Sequence, residues 1–251
     1  MLFSDIVYGP IHSRRLGTSL GVNLMPTDGK LCTFNCVYCE CGWNQPISHP
    51  HLPTRQQVRD ALEKALQQSV SIDVITFSGN GEPTLHPDIL YIMRDTFDLR
   101  NKYAPNARIA VLSNSTQIFR PEVREALVLV DDRILKLDSA IESTFQLIDQ
   151  PVNADLRVEQ IVAYLKSFHG DFILQTCFLK GEYNGQQIDN TTPEELEAWY
   201  QVVRDLSPKQ VMMYVIDRQT PCTTLEKISR DQMFKIAEPL QKEGFTISIS
   251  A

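Results

Sequence analysis

Four of the six cysteines lie within ten residues of one another, and their spacing is the strongest chemical signal in the sequence. Cys32, Cys36 and Cys39 form a Cys-x3-Cys-x2-Cys pattern, and Cys41 follows two residues later. Three neighbouring thiolates can bind three irons of a four-iron cluster, which leaves the fourth iron with an open coordination position. Catalytic metal sites keep such a position and structural sites do not. The spacing therefore favours a catalytic iron–sulfur centre.

A structural zinc site is the alternative that these residues leave open. Cys41 would complete a set of four thiolates, and His49 and His51 in the same loop offer nitrogen ligands. Zinc sites usually combine two cysteine pairs that are separated by a dozen or more residues, which is not the spacing here. A disulfide framework is disfavoured because its cysteines would be spread along the chain.

The sequence around the cysteines alternates between predicted strands and predicted helices. Apolar runs predict strands over 19–24, 74–77, 108–112, 134–137, 172–179, 211–216 and 245–249. Amphipathic stretches with capping residues predict helices over 54–66, 88–97, 121–130, 141–149, 156–168 and 192–206, and one more from 229. This alternation indicates a parallel sheet with both faces covered. We predict one α/β domain over residues 1–251, an open partial barrel with too few units to close an eight-fold barrel.

The cysteines lie in an unusually long connection of this predicted fold. The loop over 25–53 separates the first strand from the first helix. Strand-to-helix loops usually have only about 2–6 residues, and much longer ones in a compact domain are usually functional. The length of the loop and its cysteines therefore both indicate that residues 25–53 form a functional site.

The cysteine loop resembles the signature of radical S-adenosylmethionine (SAM) enzymes, in which an aromatic residue, here Tyr38, precedes the third cysteine. The resemblance implies that Cys32, Cys36 and Cys39 hold a [4Fe-4S] cluster whose fourth iron binds the amine and carboxylate of SAM. It implies one-electron reductive cleavage of SAM to methionine and a 5′-deoxyadenosyl radical, which takes hydrogen from a substrate. It also implies a partial (β/α)6 barrel, in agreement with the pattern of elements.

A second segment strengthens the resemblance. After the predicted strand over 74–77, the residues Gly79-Asn80-Gly81-Glu82-Pro83 are similar to the Gly-Gly-Glu-Pro motif of the family, which binds the ammonium group of SAM. Backbone carbonyls and a carboxylate at a strand end can receive a cation, and glycine allows its close approach. Asn80 stands where the family has a glycine. The resemblance implies that Gly79, Asn80, Gly81 and Glu82 bind SAM.

Three more polar residues follow later predicted strands, where a barrel of this type has its active site. By resemblance, Ser113, Asn114 and Asp138 contact the ribose or carboxylate of SAM, and Tyr38 packs beside the adenine. Turn formation and helix capping are the alternative roles of the three polar residues. The residues that act on the substrate are unknown from the sequence.

Within the superfamily, the chain resembles iron–sulfur oxidoreductases related to the tRNA wyosine-forming enzyme. The similar segments are residues 9–17, the cysteine loop, 78–87, 136–138 and 217–218. This resemblance suggests RNA or nucleoside modification, and the alternative within the enzyme class is installation of a glycyl radical in a partner protein. Outside that class, the alternative is a zinc-stabilised interaction module. An external electron donor of the flavodoxin or ferredoxin type is expected, because no flavin or nicotinamide motif is present.

The other cysteines, Cys41, Cys177 and Cys222, leave two interpretations open. They could bind a second cluster or donate a hydrogen atom. Alternatively, Cys177 and Cys222 are small buried hydrophobic residues, which is the usual role of a free cysteine.

Composition excludes several other classes. Of the 251 residues, 43% are hydrophobic and 22% charged, which is ordinary globular usage and excludes a disordered or fibrous chain. The net charge of −7 disfavours broad binding to a phosphate backbone. The longest apolar runs are too short to span a bilayer, and the first residues do not resemble a secretory signal. We therefore expect a soluble, cytoplasmic protein that does not contact membranes.

Overall fold

The computed structural model describes residues 2–45, 47, 50–68 and 71–251. The chain divides into two compact units: unit 1 is Met1–Cys32 with Asn44–Ile134, and unit 2 is Thr33–Trp43 with Leu135–Ala251. One division point falls inside the cysteine loop, directly after Cys32. The prediction of a single domain over residues 1–251 stays a prediction.

Unit 1 contains a mainly parallel sheet. Its strands are β1 (Val7–Ser13), β2 (Gly17–Val22), β3 (Val74–Phe77) and β4 (Arg108–Ser113). β2, β3 and β4 are parallel, and β1 pairs with β2 in the antiparallel direction. Every residue of β3 is buried, as in a parallel strand covered on both faces.

The helices of unit 1 begin within one residue of their predicted starts. They are α1 (Arg55–Gln68), α2 (Ile89–Tyr103) and α3 (Pro121–Val128), with a short 3-10 helix over Pro83–Leu85. Before α1, the backbone N–H of Gln57 donates to Thr54 Oγ1 at 3.3 Å, and the Thr54 N–H donates to Gln57 Oε1 at 2.8 Å. This reciprocal pair is the predicted capping box.

Unit 2 contains a second parallel set of strands. These are β6 (Ile173–Tyr183), β8 (Gln210–Val215) and β10 (Ile247–Ser250), while β7 (Gln186–Asp189) and β9 (Leu225–Lys227) pair antiparallel with β6. β5 (Asp132–Lys136) crosses the boundary between the units. The helices are α4 (Glu142–Asp149), α5 (Val158–Lys166), α6 (Pro193–Leu206) and α7 (Arg230–Lys242).

Three features differ from the sequence-based expectation, one of which is the short strand β9, where no strand was predicted. The strand β1 was not predicted, because its central residues are exposed and Gly9-Pro10 interrupts its apolar pattern. The β6–β7 hairpin was also missed, although Asn184 and Gly185 between its strands carried a usable signal. Both have positive φ, at 52° and 76°, as a two-residue hairpin turn of the Asn-Gly type requires.

No helix within the described residues combines the length and the apolar character needed to cross a membrane.

Candidate active site

An isolated parallel bridge in unit 1 joins the start of the cysteine loop to the turn after β3. The Leu31 N–H donates to the Asn80 carbonyl at 2.9 Å, and the Glu82 N–H donates to the Leu31 carbonyl at 3.0 Å. Cys32 is the next residue after Leu31. The bridge therefore fixes the first cysteine beside the segment that resembles the SAM-binding motif.

The bridge requires glycine at its centre. Gly81 has φ +139°, a conformation that is strained for other residues, and a Cβ there would lie 1.8 Å from the Leu31 carbonyl oxygen. Gly79 has φ +150°, and its Cβ would lie 2.5 Å from Asn23 Oδ1. Both positions are therefore restricted to glycine by close contacts as well as by backbone conformation.

Asn80 lies between these glycines and has no positive φ. Its side-chain amide is buried and donates to the carbonyls of Phe3 and Pro26, both at 2.8 Å, while its Oδ1 accepts the Phe3 N–H at 2.8 Å. The side chain is therefore used to hold the N-terminal segment. This geometry explains how asparagine occupies a position at which the similar family motif has glycine.

The Glu82 carboxylate is buried and surrounded by hydrogen-bond donors. Its Oε1 accepts from Thr84 N at 3.0 Å, Thr84 Oγ1 at 2.5 Å and Ser113 Oγ at 2.9 Å. Its Oε2 accepts from the Asn114 N–H at 2.6 Å. Burial raises the pKa of Glu82, and these four donors oppose that rise because they favour the ionised form. The carboxylate is thus held in one position by the end of β4 and the 3-10 helix.

Asn114 links this carboxylate to the first cysteine. Its Nδ2 donates to Cys32 Sγ at 3.5 Å, while its Oδ1 accepts from Thr116 N at 3.1 Å and Thr116 Oγ1 at 2.8 Å. Thr84 and Thr116 were not identified from the sequence. The structure brings together seven predicted site residues in unit 1: Cys32, Gly79, Asn80, Gly81, Glu82, Ser113 and Asn114.

The remaining predicted site residues, Cys36, Tyr38, Cys39 and Asp138, belong to unit 2. The Cys39 N–H donates to the Cys36 carbonyl at 3.1 Å, which closes a tight turn between the two cysteines. Cys36 is buried and Cys39 is half-buried, and neither forms a disulfide. The Tyr38 hydroxyl donates to Asp138 Oδ2 at 2.5 Å.

Asp138 is completely enclosed by a network of unit 2. Lys136 Nζ lies 2.8 Å from its Oδ2, and the Cys177 N–H donates to its Oδ1 at 2.9 Å. The same ammonium pairs with Asp149, whose Oδ1 accepts from Cys36 Sγ at 3.5 Å. The network therefore connects β5 and α4 to the second cysteine.

Electrostatics keep the ammonium group of this network charged. Burial alone would lower the pKa of Lys136, but the carboxylates of Asp138 and Asp149 outweigh that effect and raise it well above its ordinary value. Burial and the charge of Asp138 raise the pKa of Asp149 to about 7, against the opposing effect of Lys136. Asp149 was missed because nothing in its local sequence distinguishes it from any acidic residue at a helix end.

Backbone hydrogen bonds fix the second half of the cysteine loop. The Val37 N–H donates to the Ile148 carbonyl at 2.9 Å, and the Cys222 N–H donates to the Val37 carbonyl at 3.2 Å. Val37, Cys177 and Cys222 are buried in one apolar cluster. This packing agrees with the interpretation of Cys177 and Cys222 as small hydrophobic residues.

A single zinc ion and a four-iron cluster make different demands on their ligands. Among the described residues, which do not include His49, no group of three or more His, Cys, Asp or Glu side chains could hold one metal ion. Tetrahedral zinc needs four ligands on one ion, at about 2.0–2.3 Å. In a four-iron cluster each thiolate binds its own iron, so the sulfurs need not converge on one point. Cys32, Cys36 and Cys39 form no disulfide, so each keeps a sulfur that can bind an iron.

His86 is a structural residue beside this site. It is buried, its Nε2 lies 2.8 Å from the Pro53 carbonyl, and its Nδ1 accepts the Asp88 N–H at 3.1 Å. Because Nδ1 accepts, Nε2 carries the proton and the ring is neutral. Burial lowers the pKa of His86. The ring thus ties the turn after β3 to the end of the long loop.

The chain matches the model of a known protein family over the region that holds the candidate site residues. Residues 28–170 match the family model of the Radical SAM superfamily, which is more than half of the chain. The chain belongs to the radical SAM superfamily. The match includes the cysteine triplet, the segment Gly79–Glu82 and Asp138.

Two relatives show how the chain compares with longer proteins. It is 30% identical over 234 residues to a Brachyspira hyodysenteriae protein named GTPase Obg, with 91% of this chain and 32% of the relative covered. It is 29% identical over 248 residues to a UPF0026 protein of Helicobacter pylori, with 97% of this chain and 76% of the relative covered. The chain thus spans about a third of the first relative.

Solved structures of radical SAM enzymes share the fold. Streptococcus suis SuiB bound to its precursor peptide SuiA has a TM-score of 0.67 at 12% identity and covers 92% of this chain and 48% of its own. TYW1 with a lysine-pyruvate adduct has a TM-score of 0.62 at 15% identity, and the alignment covers 90% of this chain and 74% of the TYW1 chain. Native anSMEcpe with bound AdoMet has a TM-score of 0.58 at 16% identity, and the alignment covers 92% of this chain and 63% of the anSMEcpe chain. These likenesses confirm the predicted partial (β/α)6 barrel.

Substituting Gly81 tests the requirement for close approach at the bridge. We expect Gly81→Ala to lower the free energy of unfolding by about 3 kcal/mol or more, because strain and overlap with the Leu31 carbonyl add together. Gly185→Ala is the matched control, since Gly185 also has positive φ but a Cβ there meets nothing within 4 Å. The control should lose only about 1–2 kcal/mol. Equal losses in urea unfolding would contradict the role given to the bridge.

The buried His86 predicts a pH dependence of stability. Its pKa is lowered in the folded state, so the unfolded chain binds more protons below the ordinary pKa of about 6.5. We expect the free energy of unfolding to fall as pH decreases below that value. His86→Gln should flatten this dependence, whereas His51→Gln, which changes an exposed residue, should not. Urea unfolding between pH 5 and 8 measures both slopes; parallel slopes for wild type and His86→Gln would refute the prediction.

Proposed function

We propose that this protein is an enzyme that reductively cleaves SAM at a [4Fe-4S] cluster and uses the resulting radical on a substrate. The observation that carries the proposal is the Leu31–Gly81 bridge, which sets Cys32 beside the enclosed carboxylate of Glu82. Membership in the radical SAM superfamily supports the same chemistry.

Cys32, Cys36 and Cys39, none of which forms a disulfide, would bind the cluster through their thiolates. Reduced by one electron, a cluster bound there would supply the electron that splits the sulfonium of SAM into methionine and a 5′-deoxyadenosyl radical. Asn114 Nδ2 lies beside Cys32 Sγ, where its N–H would stabilise the negative charge of the thiolate. The electron would come from an external donor of the flavodoxin or ferredoxin type.

Glu82 would receive the ammonium group of SAM, with backbone carbonyls at Gly79, Asn80 and Gly81 beside it. The four donors around Glu82 already fix the carboxylate, so binding would require little reorganisation. An approaching cation would also favour the ionised form of this buried group. We assign the ribose and carboxylate of SAM to Ser113 and Asn114, and the adenine to Tyr38. Asp138, whose carboxylate is enclosed, would hold the Tyr38 hydroxyl in place rather than contact SAM itself.

The substrate proposed first is RNA or a nucleoside. The resemblance to the group related to the tRNA wyosine-forming enzyme supports it, and TYW1 has the same fold. The alternative is a polypeptide substrate. It would be either a partner protein in which a glycyl radical is installed or a peptide that is modified, and the second option is supported by SuiB, which was solved bound to a precursor peptide. Purified tRNA and candidate polypeptides can be compared by their effect on 5′-deoxyadenosine formation. Stimulation by polypeptide alone would reject the RNA proposal.

Reconstitution tests the cluster assignment. Anaerobic protein loaded with iron and sulfide should bind about four irons per chain and form 5′-deoxyadenosine from SAM and dithionite. Cys36→Ala should lose both properties, because one of three cluster ligands is removed. Cys41→Ala is the matched control in the same loop and should retain both. Zinc retention without sulfide, or equal loss in the two variants, would favour the zinc-stabilised interaction module.

Removing the charge of Glu82 tests the SAM site separately from the cluster. Glu82→Gln keeps the size of the side chain but loses its charge, so we expect SAM affinity to fall about 10- to 150-fold, the equivalent of a charged hydrogen bond worth about 1.5–3 kcal/mol. The iron content should not change. Calorimetric titration of SAM into the reconstituted protein measures the affinity, and Glu226→Gln on exposed β9 is the control. Unchanged affinity in Glu82→Gln would remove this carboxylate from the SAM site.

A further inference from the structure

Exposed apolar side chains are concentrated on and beside α2 and α3 of unit 1. Of the nine large hydrophobic side chains that are exposed among the described residues, five lie on these helices or within two residues of the ends of α3: Tyr91, Phe97, Phe119, Val128 and Leu129. Val128 is 60% exposed and Leu129 39%. Single exposed hydrophobic residues are ordinary, whereas a gathered group marks an interaction surface.

A groove of about 440 Å³ runs between the two helices, and its lining residues form the α2–α3 face. It is lined by Leu90 and Arg94 from α2 and by Pro121, Arg124, Glu125, Val128 and Leu129 from α3. Leu90 and Arg94 are four residues apart, so they share one side of α2, and Val128 and Leu129 follow Glu125 at three and four residues on α3. The lining thus combines an apolar part with charged side chains on both helices.

The charges of the groove suit a second copy of the same surface. Arg94 lines it from α2, and Arg124 and Glu125 line it from α3. Arg124 Nη1 donates to the carbonyls of Ile118 and Phe119 at 3.1 and 3.2 Å, so the two opposite charges that remain to pair are those of Arg94 and Glu125. In a two-fold interface, residue i of one copy contacts residue j of the other and the reverse, so one patch that holds both signs can pair with itself. A partner with charges of a single sign would leave one of these two groups facing a like charge.

The distribution of charge between the units favours the same partner. Unit 1 holds 13 Lys and Arg residues and 13 Asp and Glu residues, whereas unit 2 holds the other 11 and 18. The whole net charge of −7 therefore belongs to unit 2. Two copies that meet through unit 1 bring neutral units together, which avoids the repulsion that acidic surfaces would cause.

We propose that this α2–α3 face is a homodimer interface with two-fold symmetry. Val128 and Leu129 pack at its centre, and Arg94 of each copy pairs with Glu125 of the other copy. The proposal is independent of the radical chemistry, because every residue in it lies outside the candidate active site.

Oligomeric state measured on the full chain tests the proposal. Sedimentation velocity should give twice the mass of one chain for the wild type, with dissociation to monomer on dilution. The double variant Val128→Asp and Leu129→Asp should be monomeric, because four buried carboxylates would face one another. Val152→Asp is the matched control, since Val152 is 66% exposed but lies in unit 2. Its dimer should persist, and circular dichroism checks that each variant is folded.

Charge exchange distinguishes the proposed pairing from general loss of apolar contact. Arg94→Glu places like charges together and should shift the equilibrium at least about tenfold toward monomer. Adding Glu125→Arg to the same chain restores opposite charges across the two-fold axis, so the dimer should return. A monomeric wild type, a dimer that survives the double aspartate variant, or no rescue by the charge exchange would each overturn the proposal.

Discussion

The close approach of two backbone segments at Leu31 and Gly81 is the constraint on which the arrangement of unit 1 depends. The two hydrogen bonds of the bridge leave no room for a side chain at Gly81, where a Cβ would overlap the Leu31 carbonyl. Cys32 is thereby fixed by its neighbour in the chain. Glu82 follows Gly81 directly, so the same contact also sets the carboxylate that four donors then enclose.

Unit 2 fixes its part of the cysteine loop by different means. Backbone hydrogen bonds tie Val37 to the end of α4 and to Cys222, and a buried network joins Lys136 to two carboxylates near Cys36. A buried ammonium is tolerated because Asp138 and Asp149 compensate its lost hydration. Each unit therefore holds its own segment of the loop through contacts that come from distant parts of the chain.

Most of the elements could be predicted because local physical rules decide them. Apolar runs and capping pairs, such as Thr54 with Gln57, gave α1, β3 and α6 close to their observed bounds. The elements that were not predicted are β1, the β6–β7 hairpin and the short strand β9. The exposed edge strand β1 has no buried face to impose a pattern, whereas the hairpin does carry a local signal, the Asn-Gly pair of its turn.

The sequence by itself determined the alternation of strands and helices, the cysteine spacing and the Gly-Glu-Pro segment, since these depend on residues near one another in the chain. Only the tertiary structure decided which side chains meet. It showed that Asn80 holds the N-terminal segment, that Asn114 contacts Cys32, and that Asp149 reaches Cys36. The partners in these contacts are between 77 and 113 residues apart. Tertiary packing brings such partners together, and no local sequence pattern encodes these contacts.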